Sequence, residues 1–312
     1  MKRYLLTILF VLLAKSWLLG QQDPQYTNYM YNMSVVNPAY TTNELGLLNF
    51  GALYRTQWNQ VYGAPKTLTF FGHAALSDKV ETGISIISDD IGDGLLKENN
   101  FYGDFTYTLS LGLKSKLALG LKAGFTTFNT YFNGLVLPEF QDDTAFGENI
   151  NGTFPNFGIG AFYHRGDFYA GISVPNFLAS KHLEDRNGVR RIGGEKLHSY
   201  VLAGYVYEVS HNVKVKPSIL GKVAANSPLS LDTSLNVLVN DQIEGGVSYR
   251  WGDAISALVN IRVLPSIRIG YAYDYTISDL SDFSSGSHEI FALFDLDLLG
   301  LRKGYDKSPR FY

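Results

Sequence analysis

The sequence predicts an all-β chain, a transmembrane antiparallel β-barrel of about fourteen strands with short periplasmic turns and longer extracellular loops. Three observations predict it. After an apolar N-terminal leader, no apolar stretch approaches the roughly 18 residues of a helical span. Apolar and polar residues then alternate with period two along the remaining chain, as they must on a ribbon with one buried and one differently solvated face. The connections between the alternating runs are short at every second position and usually longer in between.

Residues 1–21 read as a signal peptide. Lys2 and Arg3 precede the apolar run Tyr4–Ala14, and Lys15-Ser16-Trp17 leads to Leu18-Leu19-Gly20-Gln21, with cleavage expected near Gly20–Gln22. The chain has no cysteine, so it offers neither a lipoprotein attachment site nor a disulfide framework. Loss of Lys2, Arg3 and Lys15 takes the 26 basic residues to 23 against 29 acids, a mature charge of −6. No basic block invites nucleic acid. An aromatic share of 14% supplies residues for the girdles at a membrane interface.

Residues 22–46 do not alternate cleanly and read as a periplasmic lead-in or plug. The barrel is expected over 47–298. Its clearest run is Ser266–Tyr275, where Ile267, Ile269, Tyr271, Tyr273 and Tyr275 take one face and Arg268, Gly270, Ala272 and Asp274 the other. Leu117–Phe125, Phe168–Val174, Gly246–Trp251, Ile255–Arg262 and Glu289–Leu296 repeat the pattern. Turn residues mark the short connections, at Leu76–Lys79, Leu113–Ser115, His164–Asp167, Ser210–Asn212, Val239–Asp241 and Leu264–Ser266. Longer ones fall at Trp58–Pro65, Ser88–Lys97, Thr130–Thr153, Pro175–Glu195 and Ser278–Gly286, while Asn226–Pro228 and Trp251–Asp253 stay short. Residues 299–312 form a basic tail. An even strand number places both ends in the periplasm of an integral outer-membrane protein. No fixed-period repeat or flexible linker divides the chain.

Six segments carry a family resemblance. They are Gln22-Asp23-Pro24-Gln25-Tyr26-Thr27-Asn28-Tyr29-Met30-Tyr31-Asn32 with Val36-Asn37-Pro38-Ala39-Tyr40; Tyr54-Arg55-Thr56-Gln57-Trp58-Asn59 with Gly63–Thr67; Phe168–Pro175; Arg268–Tyr275; Gly286–Ile290; and Ser308–Tyr312. In this order they resemble the PorP/SprF family of outer-membrane proteins of the Bacteroidetes type IX secretion system. The resemblance implies a non-enzymatic barrel that assists secretion or surface anchoring of a large adhesin-like cargo, often a gliding-motility adhesin with a C-terminal targeting domain. It also implies contact with periplasmic components of the machinery. The competing reading is a passive porin or small-solute channel.

Candidate sites divide by face and by end. Glu244, Arg250, Asn260, Arg262, Arg268 and Asp274 fall on the lumenal face of three consecutive strands. A barrel of this size must pair its internal charges whatever its job, which favours a salt-bridge lattice over a binding surface. Arg55 and Trp58 sit where the first strand meets its loop, either as an interfacial anchor or as one lip of a docking site. Of the two longest loops, one is acidic (Glu139, Asp142, Asp143, Glu148) and the other basic (Lys181, Arg186, Arg190, Arg191). Opposite charge suffices to hold them together, and their length also makes them partner candidates. Arg310, Phe311 and Tyr312 suggest a docking end, since aromatic and Arg residues anchor interfaces.

Asp89, Asp90 and Asp93 hint at a calcium loop, but Ile91 occupies a required ligand position, so a solvated acidic turn is favoured and no metal is expected. His198-Ser199 and Ser287-His288 are strand neighbours that point to opposite faces, and no Gly-x-Ser-x-Gly elbow, zinc spacing or phosphate loop occurs. No catalytic residue and no cofactor is expected.

Overall fold

The computed structural model describes residues 25–40, 46–132, 149, 151–177, 197–224 and 227–297. The expected leader, the tail and the partner candidates Arg190, Arg191, Arg310, Phe311 and Tyr312 lie outside the described residues. The strands are β1 (Leu47–Thr56), β2 (Lys66–Ala75), β3 (Val80–Ile91), β4 (Leu96–Ser110), β5 (Ser115–Thr130), β6 (Asn151–Arg165), β7 (Phe168–Val174) and β8 (His198–Tyr205). They continue as β9 (Tyr207–Ser210), β10 (Val213–Ala224), β11 (Ser230–Val239), β12 (Ile243–Arg250), β13 (Ala254–Leu264), β14 (Ile267–Thr276) and β15 (Ser287–Asp297).

Sequence neighbours pair antiparallel, and β1 pairs β15 from Leu47↔Asp297 to Thr56↔His288, so the sheet closes on itself. β8 and β9 both pair with β10 and form one wall strand interrupted at Val206. The wall therefore has fourteen strands. Closure leaves no unpaired edge, which a sheet in an apolar surrounding requires.

The alternation read from the sequence is the alternation of burial. On β14, Arg268, Ala272 and Asp274 are buried while Ile269, Tyr271 and Tyr275 are exposed. On β13, Ala254, Ser256, Leu258 and Asn260 face inward, whereas Ile255, Val259 and Ile261 face out. With that outer face in lipid, Val259→Arg should cost about 2–4 kcal/mol, since Val259 is near mid-strand. Reversible unfolding in vesicles measures this, and an unchanged stability would remove lipid from that face.

The tight turns have the backbone they need. Asn240 and Asp241 carry φ of 54° and 51°, the positive pair that a two-residue hairpin turn requires, and Asn and Asp tolerate it. One expected long loop is shorter than the sequence suggested. Pairing of β3 with β4 continues to Ile91↔Leu96, so Ser88–Lys97 is mostly ladder with a turn at Gly92–Leu95. The polar residues that resembled a loop there extend the strands instead. Asp89 accepts from Thr67 Oγ1 at 2.5 Å, Asp90 from the Gly94 N–H at 2.6 Å, and Asp93 from Lys66 Nζ at 2.7 Å. The Lys66 hydrogen bond holds the Asp93 carboxyl below its ordinary range.

Within the wall runs a segment of residues 25–40, with a 3-10 turn at Tyr29–Tyr31 and a short helix at Met33–Val36. Residues 26–40 are all buried. Gln25 stands beside Gln57, Trp58 and Trp251 at the end of the barrel that carries the longer connections. β15 finishes with Asp297 opposite Leu47, at the end that carries the short turns. Gln25 and Asp297, the first and last described residues, thus lie at opposite mouths, and the two ends of the chain itself lie outside the described residues. Strand parity counts wall strands only, and the segment adds one further pass through the lumen.

Candidate functional site

The lumenal segment is held by two chemically different halves of the wall. Near the mouth of longer connections, Arg55 is 1% exposed. Its Nη2 lies 2.6 Å from Asp274 Oδ2 and its Nη1 3.2 Å from Glu289 Oε2. Thr27 Oγ1 donates to Asp274 Oδ1 at 2.7 Å. The backbone N–H groups of Thr27 and Asn28 donate to Glu289 Oε2 and Oε1 at 3.0 and 2.7 Å. Glu289 thus accepts two consecutive peptide N–H groups that a non-regular segment would otherwise leave unpaired. Arg250 extends the cluster, with Nε donating to Asp232 Oδ1 at 2.8 Å and Nη1 3.7 Å from Asp274 Oδ2.

The lumenal charge set read from the sequence is therefore two clusters. Arg250 and Asp274 belong to this upper one. Glu244 lies six residues, about 20 Å, down β12 from Arg250. It takes a hydrogen bond from Asn236 and stands 3.9 Å from Arg268. Arg262 is buried on the same lower part of the wall. Tyr31 bridges the region, stacked on Phe291 at 4.7 Å, with the Lys216 ammonium and the Arg268 guanidinium near its ring.

The second half of the seat is a hollow of glycines. A Cβ on Gly120 would stand 2.3 Å from Ala39 N and from the Pro38 carbonyl. One on Gly160 would stand 2.1 Å from Asn37 Oδ1, and one on Gly171 2.7 Å from Asn37 Nδ2. Three neighbouring strands thus omit their side chains where Asn37-Pro38-Ala39 crosses. Asn37 Nδ2 donates to Ala161 O at 3.1 Å, Thr106 Oγ1 to Pro38 O at 2.7 Å, and Ser173 Oγ to Val36 O at 2.8 Å. Lys122 Nζ donates to the Ser34 and Val35 carbonyls. Tyr40 then packs edge-on against His73 and Phe162.

Above the segment the mouth opens into a hollow of about 520 Å³. Trp58, Tyr62, Leu229 and Trp251 line it, with Tyr62 91% and Trp251 71% exposed. Trp58 adopts φ +44°, an uncommon conformation for a bulky residue. It is held there by its N–H to Ser287 Oγ at 3.0 Å and by the pairing of Asn59 with Gly286 and Ser285. Strain of this kind clusters at binding sites. A second, small hollow of about 60 Å³ separates Tyr26 and Tyr29 from Tyr102, Lys122, Tyr200 and Lys222.

Of the partner candidates at the first strand end, Trp58 lines the mouth. Arg55 does not: it is sealed in the lumen and cannot touch a partner, which corrects its assignment. Its phase was legible, since Arg55 shares parity with Asn49 and not with the outward Phe50 and Tyr54. Glu289, Asp232, Thr27 and the glycine hollow were not singled out from the sequence.

A family model described as "Type IX secretion system membrane protein PorP/SprF" matches residues 18–294. No curated protein matches the chain. Among solved structures, the CymD monoaromatic hydrocarbon channel is similar at a TM-score of 0.51 and 11% identity, covering 89% of this chain and 94% of that one. The Acinetobacter baumannii outer membrane protein Omp33 gives 0.49 at 9% identity over 82% of this chain and all of that one. A Pseudomonas aeruginosa FadL homologue gives 0.49 at 11%, over 84% and 93%. At these identities the likeness is one of fold.

Proposed function

The chain belongs to the PorP/SprF family of type IX secretion system membrane proteins, and from that membership we propose that it is an adaptor barrel of the outer membrane. It assists secretion or surface anchoring of a large adhesin-like cargo by protein–protein recognition. One observation carries this reading against that of a passive porin. The lumen is filled along its length by residues 25–40, seated by ion pairs at one end and by a glycine hollow at the other. A barrel so filled works at its rims.

The outer rim is the mouth around Trp58, Tyr62 and Trp251, where rigid aromatics on a closed scaffold make the anchors that dominate interfaces. The basic loop with Arg190 and Arg191 is a candidate contact for the cargo's targeting domain by its charge. The tail with Arg310, Phe311 and Tyr312 serves contact with periplasmic components of the machinery. Purification of the tagged barrel from secreting cells should recover a secreted surface protein. The triple variant Trp58→Ala, Tyr62→Ala, Trp251→Ala should lower that recovery at least about tenfold, since truncating even one interface anchor commonly costs 2 kcal/mol or more. Equal recovery would remove the mouth from recognition. In planar bilayers the purified barrel should stay closed, and a large steady conductance would favour the porin.

A further inference from the structure

The hollow at the mouth of longer connections is lined by aromatic faces and carboxylates together, a pairing that selects a cation. We infer that it seats an arginine side chain presented by a protein partner. The inference rests on the reading of this mouth as a docking rim, and it adds the chemistry that the rim selects.

Trp58 and Trp251 line the same hollow of about 520 Å³ as Tyr62, Asp89 and Asp253. A cavity of that size takes one long side chain with its flanking peptide. Tyr62 and Trp251 are exposed, and the Asp253 side chain remains 29% exposed. Asp89 accepts from the Thr67 hydroxyl, a neutral donor that leaves the carboxylate its charge. Among the described lining residues the one base is Arg250, and it is buried against Asp232, Asp253 and Asp274.

The surroundings keep the sign negative. Beneath the hollow, Arg55 and Arg250 face four carboxylates, those of Asp232, Asp253, Asp274 and Glu289. On the rim Lys66 and Lys97 match Asp93 and Asp90. In the neighbouring small hollow Lys222 is offset by Glu98. The exposed turn Asp279–Asp282 adds two further acids. By sequence the connections 133–148 and 178–196 together hold seven acids and five bases, so they do not reverse the balance. Low-dielectric walls focus such a potential and draw a cation inward.

Other occupants fail on one half of the lining. A leucine would cover the aromatic faces but strip water from the carboxylates without a charge in return. A glutamate would meet like charge. A guanidinium satisfies both halves, because it lies flat on Trp and Tyr faces while it donates to carboxylates.

The chain has three tryptophans, at 17, 58 and 251, so the fluorescence of a Trp17→Phe barrel reports on the hollow alone. The purified barrel in micelles is titrated with acetyl-Ala-Ala-Xaa-Ala-Ala-amide peptides that carry arginine, citrulline, leucine or glutamate at Xaa. The arginine peptide should bind at least about tenfold more tightly than that of citrulline, its uncharged isostere, and should weaken as salt is raised. Asp253→Asn should cut this preference at least about threefold, and Asp89→Asn gives the same readout if Asp253→Asn disturbs Arg250. Equal affinity for arginine and citrulline, or no response to arginine at millimolar peptide, would overturn the inference. Arginine selectivity together with equal recovery of a secreted protein by the triple aromatic variant would uphold the seat and overturn its use by cargo. Recovery that falls in that variant while the peptides show no selectivity would do the reverse.

Discussion

Arg55→Ala should destabilise the barrel by about 3–5 kcal/mol, the cost of removing one member of a buried ion-pair cluster. The substitution leaves Asp274 and Glu289 facing each other without the guanidinium that neutralises both, at 2% and 1% exposure. Unfolding by guanidinium in micelles measures the loss. The peptide N–H groups of Thr27 and Asn28 give a second readout, because they donate to Glu289. Their hydrogen exchange should accelerate more than that of the Asn37–Tyr40 stretch, which the glycine hollow holds. Adding Asp274→Asn and Glu289→Gln to Arg55→Met removes the charges together and should recover most of the stability. If the single substitution costs less than about 1 kcal/mol, the cluster is ornamental and the segment is held elsewhere.

The parts of this site that the sequence disclosed follow from period two, which the backbone enforces locally. Once Phe50 and Tyr54 are read as outward, the inward phase of Asn49 and Arg55 follows, and the same holds for Arg268 and Asp274 on β14. The tight turns were legible for an equally local reason, the positive φ that Asn240-Asp241 accepts. What no local rule reaches is the lumen filling. Asp274 meets Thr27 across 247 positions, and Gly120 meets Pro38 across 82, so neither contact leaves a mark on the residues around it. Nothing in the sequence around the glycines at 120, 160 and 171 marks them as a seat. Residues 25–40 lack alternation in the sequence, and they are not wall. Their direction through the barrel was hidden because strand parity is silent about a pass that pairs with no strand.

Gly120→Val should displace Asn37-Pro38-Ala39 and open the lumen to ions. The added Cβ would fall 2.3 Å from backbone atoms of Pro38 and Ala39, and backbone cannot swing aside as a side-chain tip can. Overpacking a tight contact costs about 1–3 kcal/mol when the surroundings can yield, and here the segment yields more easily than a hydrogen-bonded wall strand. The wall should persist, because Gly120 pairs through its backbone with Thr106 and Gly160, and valine suits a strand. Displacement would also break the bonds from Asn37 to Ala161 and from Thr106 to Pro38, so that half of the segment would leave together. In planar bilayers the variant should show stepwise conductance where the parent is closed, and proteolysis should cut within residues 25–40. Gly103→Val is the matched control, since its Cβ would point outward with no atom closer than 3.9 Å, and it should remain closed. A closed, protease-resistant Gly120→Val barrel would mean that the glycine hollow does not seat the plug.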